Sequence, residues 1–159
     1  MTWKHFSDES PELAHRVKAR FAAHEHHVVA TLRADGSPRV SGTNVVFLGD
    51  DVWLGSMPGA VKATDLARDP RFALHSAPLD IQLVEGDAKL AGTAHRLTET
   101  HEVEHWFDLL EEATGQRPSG GGDVFRLTIT EASIVTVDGD ELEISSWSPS
   151  DGTRVRRRR

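Results

Sequence analysis

Between residues 27 and 56 the chain alternates short runs rich in β-branched and aromatic residues with tight-turn signals, and this rhythm restricts the fold more than any other feature. Residues 27–33 centre on Val28-Val29-Ala30, and Ala34-Asp35-Gly36-Ser37 then reads as a hairpin turn, because Asp-Gly accommodates positive φ. Residues 38–48 form the returning strand. A second turn at Gly49-Asp50-Asp51 leads into a third strand, 52–56, which carries Trp53. Short antiparallel strands joined this closely favour a closed barrel over a parallel sheet.

The flanking segments fit around that meander. Ser10-Pro11-Glu12 reads as a helix start, with a capping serine, a proline in the first turn and an acid at the positive end of the dipole. Leu13, Val17 and Phe21 follow at spacings of four and form one apolar stripe, to about residue 23. Met57-Pro58-Gly59 breaks the sheet, residues 60–68 form a short helix, and Asp69-Pro70 stops it, since a residue before proline avoids the helical region. Strand-like runs resume at 72–75 and 88–97, a longer helix covers 99–114, and Gly120-Gly121-Gly122 makes a loose connection. Two further strands, 124–129 and 133–137, lead through Asp138-Gly139-Asp140 to 142–144. No internal repeat interrupts the order.

The chain's 159 residues suit one domain, expected over 1–147, with a basic tail over 148–159. A formal net charge of −7 argues against a general nucleic-acid binder. Arg154, Arg156, Arg157, Arg158 and Arg159 run against that balance and read as a solvated terminus. The absence of cysteine excludes disulfides and thiolate metal sites. No apolar run reaches the roughly 20 residues of a membrane span, and Met1-Thr2-Trp3-Lys4-His5 lacks the layout of a secretion signal. No membrane partner and a cytoplasmic location are the expectations.

The pattern Ala30-Thr31-Leu32, Asp35-Gly36-Ser37-Pro38, Val52-Trp53-Leu54 and then Lys62, Asp65-Leu66-Ala67-Arg68-Asp69-Pro70-Arg71 resembles the pyridoxamine 5'-phosphate oxidase-like family, which includes flavin- and deazaflavin-dependent oxidoreductases. Glu85-Gly86-Asp87-Ala88 and Ser145-Ser146-Trp147 fit the same likeness. The resemblance implies a mainly β (α+β) fold: a six-stranded antiparallel Greek-key split β-barrel with flanking helices. It also implies a homodimer, with FMN or the deazaflavin F420 in the groove between subunits. On that likeness Lys62 is the phosphate-binding lysine, Ser56 and Met57 lie on the cofactor strand, and Val40, Ser41, Gly42 and Thr43 border the ring and phosphate.

The residues support a phosphate site in their own right. A glycine-bearing turn leading into a helix offers free backbone N–H groups and the positive end of a dipole. Met57, Gly59, Ala60 and Val61 supply that turn, and Lys62 adds a full cation. The chain also departs from the family pattern. Ser41 stands where FMN oxidases usually carry arginine, Val46 lies near a usual lysine, and Ala60 and Val61 replace arginines common in relatives. One matched cation remains where relatives offer several. Arg39 or a partner residue could compensate, or the ligand is F420, whose phosphate is a diester. A flavin-type ring carries its own redox chemistry, so hydride transfer to a small organic substrate requires no catalytic side chain. Trp53 or Trp147 could supply an aromatic wall.

Two histidine groups compete with this reading. His101-Glu102-Val103-Glu104-His105 matches H-E-x-x-H, which on a helix places two histidines on one face as zinc ligands, with Glu102 as a potential base. No third histidine follows, since positions 108 and 111 are Asp and Glu, and acids at a helix start are expected for the dipole alone. A zinc hydrolase is therefore a remote alternative, and no metal ligand is assigned. His24 and His26, alternating on a strand, could hold a metal or haem iron, although polar residues are ordinary in a helix-to-strand connection. A non-catalytic flavin, haem or tetrapyrrole carrier on the same barrel is the alternative function. The loop 55–62 lacks the Gly-Lys-Ser/Thr ending of a nucleotide loop.

Overall fold

The computed structural model describes every residue except Leu79, Pro118 and Gly120, so the first glycine of the expected loose connection lies outside the described residues. The chain forms helices α1 (Trp3–Glu9), α2 (Pro11–Ala22), α3 (Val61–Arg68) and α4 (Thr100–Thr114). Its strands are β1 (His27–Leu32), β2 (Pro38–Leu48), β3 (Asp51–Ser56), β4 (Arg71–His75), β5 (Asp87–Arg96), β6 (Asp123–Asp138), β7 (Glu141–Ser148) and β8 (Gly152–Arg158). None of the described helices is long and apolar enough to cross a membrane.

All pairings are antiparallel, in the order β3-β2-β1-β4-β5-β6-β7-β8, and β3 pairs back onto β6. Six strands thus close into the expected barrel. The Asp35 carboxylate accepts from the Ser37 N–H at 2.9 Å and sets the first hairpin, placing Ala30 opposite Val40. The chain then leaves the sheet through α3, and β4 returns to pair with β1, Val29 facing Leu74. That return makes the topology a Greek key rather than a simple meander. Val29, Val52, Leu54, Leu74, Leu90, Phe125 and Leu127 fill the interior, each at most 1% exposed. Phe6, Leu13, Val17 and Phe21 of α1 and α2 extend the same core.

The strands expected at 124–129 and 133–137 are one continuous strand. Ala91 pairs with Glu131 but Gly92 with Ile129, so Thr130 is an extra residue in β6. This bulge reverses the inward parity, from Phe125, Leu127 and Ile129 to Ala132 and Ile134, and all five stay buried. A strict alternation pattern reads that reversal as a break. Gly92 makes the bulge possible, because a Cβ there would lie 1.8 Å from the Thr128 carbonyl oxygen.

Two other expectations are revised. A helix precedes Ser10: Thr2 caps α1 by accepting from the His5 N–H, and Trp3 and Phe6 are buried. Ser10 stands between the two helices without capping α2, and its hydroxyl accepts from Thr153 at 2.7 Å. The arginine segment stays exposed but is no frayed tail, since Gly152–Arg158 pairs along β7 with Ile144 opposite Arg156. Arg157 joins Glu143, and Arg16 of α2 lies 3.5 Å from the same carboxylate, so the charges are partly spent within the fold.

Candidate functional site

On the outer side of β2 and β3 lies a cavity of about 560 Å³, bounded by the start of α3, by α4 and by the loop ending at Gly122. Ser56 ends β3 and Met57 follows it, outside the strand on which it was expected; Gly42 and Thr43 come from β2, and Ala60 and Lys62 open α3. These six predicted residues converge on one cavity. The other predicted residues do not line it. Gly59 and Val61 belong to the turn and the first position of α3, and Val40 is 69% exposed on β2. Ser41 points to the opposite side of β2 from Gly42, as strand alternation requires.

Arg39 cannot compensate for the missing cations. Its Nε donates to the buried Asp65 carboxylate at 2.6 Å, an ion pair that ties β2 to α3. Trp147 is also committed elsewhere. It is 2% exposed, packs on Phe6 at 4.7 Å between ring centroids, and donates its N–H to Glu9. Trp53 lies beneath α4, with its N–H donating to the Leu48 carbonyl.

The cationic end of the cavity is built by α3. Its N-cap residue, Ala60, offers no side-chain acceptor; the Ala63 N–H donates to the Ala60 carbonyl at 3.0 Å, which leaves the Val61 and Lys62 N–H groups for an anion. Lys62 Nζ donates to the Gly42 carbonyl at 2.6 Å, which holds the ammonium against β2. Burial without a facing carboxylate pushes the Lys62 pKa below its ordinary value. The site thus carries a partly desolvated cation, a state that an incoming anion would relieve.

The remaining lining divides by chemistry. Val46, Val124, Trp106, Phe107 and Leu110 make an apolar wall where α4 meets the sheet. Opposite it are His26 and Asn44, joined at 2.9 Å through His26 Nδ1 and Asn44 Oδ1. With Nδ1 engaged by the amide oxygen, Nε2 has no partner among the described residues. Asp123, also in the lining, is neutralised by Arg96. Ser56 Oγ and Trp106 Nε1 are buried without a hydrogen-bond partner among the described residues. Sequence reasoning missed α4 altogether as a cavity wall, and no local signal separates Trp106 from the other tryptophans.

The H-E-x-x-H histidines sit elsewhere. His101 and His105 occupy the exposed side of α4, while Val103, Trp106 and Leu110 face the protein. Among the described residues no group of three or more His, Cys, Asp or Glu is gathered as a metal site.

Known proteins agree with the architecture. The protein of Nostoc punctiforme described as a pyridoxamine 5'-phosphate oxidase-related, FMN-binding protein superposes with a TM-score of 0.64, at 11% identity over 94% of this chain and 96% of its own. PhzG of Burkholderia lata, solved with tetrahydrophenazine-1-carboxylic acid, gives 0.64 at 13% identity, over 92% and 88%. A haem-binding protein of Mycobacterium smegmatis gives 0.61 at 22% identity; the alignment covers 84% of this chain but only 57% of that longer protein. At such identities the likeness shows the fold. Among curated proteins no sequence matches this one. The family model described as pyridoxamine 5'-phosphate oxidase matches residues 13–136, from α2 through the bulged strand β6. With the closed six-strand barrel, that match over most of its length shows that the chain belongs to the pyridoxamine 5'-phosphate oxidase-like family.

Proposed function

We propose that this protein is an oxidoreductase that moves a hydride between FMN or F420 and a small organic substrate. The observation that carries the reading is the convergence, on one cavity of about 560 Å³, of Lys62, the uncapped start of α3 and an apolar wall. That volume lies within the range of roughly 300–1,000 Å³ usual for cofactor pockets. Lys62 and the α3 amides would hold the anionic tail, while α4 and β3 would orient the ring and exclude water. A bound flavin or deazaflavin would supply the hydride chemistry itself. With Arg39 held by Asp65, a single lysine faces the tail, which suits the one negative charge of a phosphodiester better than a phosphate dianion.

A second copy of the chain is proposed as partner. Val40, Met57 and Val61 are 69%, 79% and 55% exposed, and all three lie on β2 or around the turn into α3. Apolar residues so placed beside a half-open cavity would be covered by a two-fold neighbour, which would also complete the walls of the pocket. Light scattering should return twice the 17.5 kDa chain mass. A monomer at that measurement removes the partner.

His26 supports a second reading, a haem or tetrapyrrole carrier, because it lines the cavity and its Nε2 has no partner among the described residues. Titrating the purified protein with FMN, F420 and haem separates the two. The redox reading expects micromolar or tighter binding of FMN or F420, with a bound-cofactor band at about 400–450 nm set by the chromophore and reduction by a suitable donor. A haem complex whose Soret band is lost in His26→Ala, with no affinity for either flavin, rejects it.

A further inference from the structure

Helix α4 closes one side of the cavity with Trp106, Phe107 and Leu110, which are 5%, 7% and 7% exposed. These side chains belong to a small cluster with Val124, Val46, Leu48, Trp53, Leu97 and Val103, separate from the barrel core. A helix held by such a satellite cluster can shift without opening the barrel. The Trp106 ring lies 5.2 Å from Phe107 and 6.1 Å from Trp53, so its aromatic body is packed.

Its polar atom is not provided for. Trp53 donates to the Leu48 carbonyl and Trp147 to Glu9, but Trp106 Nε1 is buried with no acceptor among the described residues. An indole nitrogen is a donor only, so burying it unpaired is a net cost that a phenylalanine at the same place would not carry. A donor buried unpaired in a residue that lines the cavity points to a ligand with an acceptor group.

We propose that Trp106 is a ligand-recognition residue, which meets a planar ring edge-on and donates its indole N–H to a carbonyl oxygen on that ring. Because Nε1 is sealed within the wall, the contact forms only when α4 shifts outward as the ring enters. The ligand class is an anionic molecule with its tail at Lys62 and a carbonyl-bearing aromatic ring against α4. This rests on the reading that the cavity holds FMN or F420, and it assigns the ring end of that site to a helix outside the barrel.

Trp106→Phe keeps the aromatic body and deletes the donor. Dissociation constants are measured for FMN and riboflavin, or for F420 and its phosphate-free deazaflavin, alongside thermal melting. The variant should bind both members of a pair more weakly by a common factor of roughly 3–10, leaving the preference for the phosphorylated ligand intact. Its melting temperature reports separately the void that the smaller ring leaves in the wall. Unchanged affinities or a loss confined to the phosphorylated ligand would each overturn the proposal while leaving the cavity reading standing. If the wild type binds no member of either pair at micromolar concentrations, the cavity reading fails first and takes this one with it.

Discussion

Lys62→Ala should raise the dissociation constant for FMN or F420 by about ten- to a hundred-fold, because one charge-assisted contact is worth roughly 1.5–3 kcal/mol. The loss should not be buffered. Arg39, the next cation on β2, is held by Asp65, and Arg96 is held by Asp123, so neither can turn toward the tail. Riboflavin, which lacks the phosphate, should bind wild type and variant alike. The pH dependence follows from the ammonium's burial, which lowers its pKa in the free protein, whereas a bound anion would raise it again. Affinity for the phosphorylated ligand should therefore be level near neutrality. It should fall as pH rises through the depressed Lys62 pKa, before an ordinary lysine would titrate. Fluorescence titration across that range should show this alkaline fall in the wild type and not in Lys62→Ala. Equal affinities for the two proteins would remove the lysine from the site, and the redox assignment would lose its main support.

The parts of this arrangement legible in the sequence are those whose causes are local. The turn at Asp35-Gly36 sets the β1–β2 hairpin with hydrogen bonds two residues apart, and Asp69-Pro70 ends α3 where the backbone requires it. Lys62, Ser56 and Met57 were readable together because one short stretch from β3 into α3 carries all three. What was not legible depends on partners far away in the chain. Arg39 looks like a spare cation until α3 folds back and sets Asp65 beside it. The arginine segment reads as solvated charge because nothing within it announces that β7 offers an edge to pair with. None of the four tryptophans carries a local mark of the cavity, and only the packing of α4 over β2, β3 and β6 places Trp106 rather than Trp147 there. The bulge at Thr130 belongs to the same class, since its extra residue is visible only against the register of β5.

Asp65 is where the fold and the site depend on one carboxylate, and Asp65→Ala should cost about 3–5 kcal/mol of unfolding free energy in urea titration. The side chain is 2% exposed as a residue and accepts from Thr31 Oγ1 at 3.0 Å, Arg39 Nε at 2.6 Å and Arg68 at 3.0 Å. Removing it strands the buried Thr31 hydroxyl and leaves the half-buried Arg39 guanidinium facing the space its partner filled. Burial alone would raise the Asp65 pKa, but the hydrogen bonds from Arg39, Arg68 and Thr31 outweigh it, so the carboxyl sits below its ordinary value. A carboxyl depressed in the folded state contributes stability that is complete above its unfolded pKa of about 4 and is lost as pH falls through the folded value. The wild type should therefore lose this contribution on acidification below about pH 4, and the stability difference between wild type and Asp65→Ala should shrink over the same window. Asp65 lies one turn beyond Lys62 on α3, so the clamp that joins α3 to β1 and β2 also holds the lysine at the cavity. Ligand affinity should consequently fall in Asp65→Ala even at temperatures where the variant remains folded. A variant less than about 1 kcal/mol below wild type, the scale of an exposed ion pair, would show that α3 is fixed by its apolar face alone, through Ala63 and Leu66.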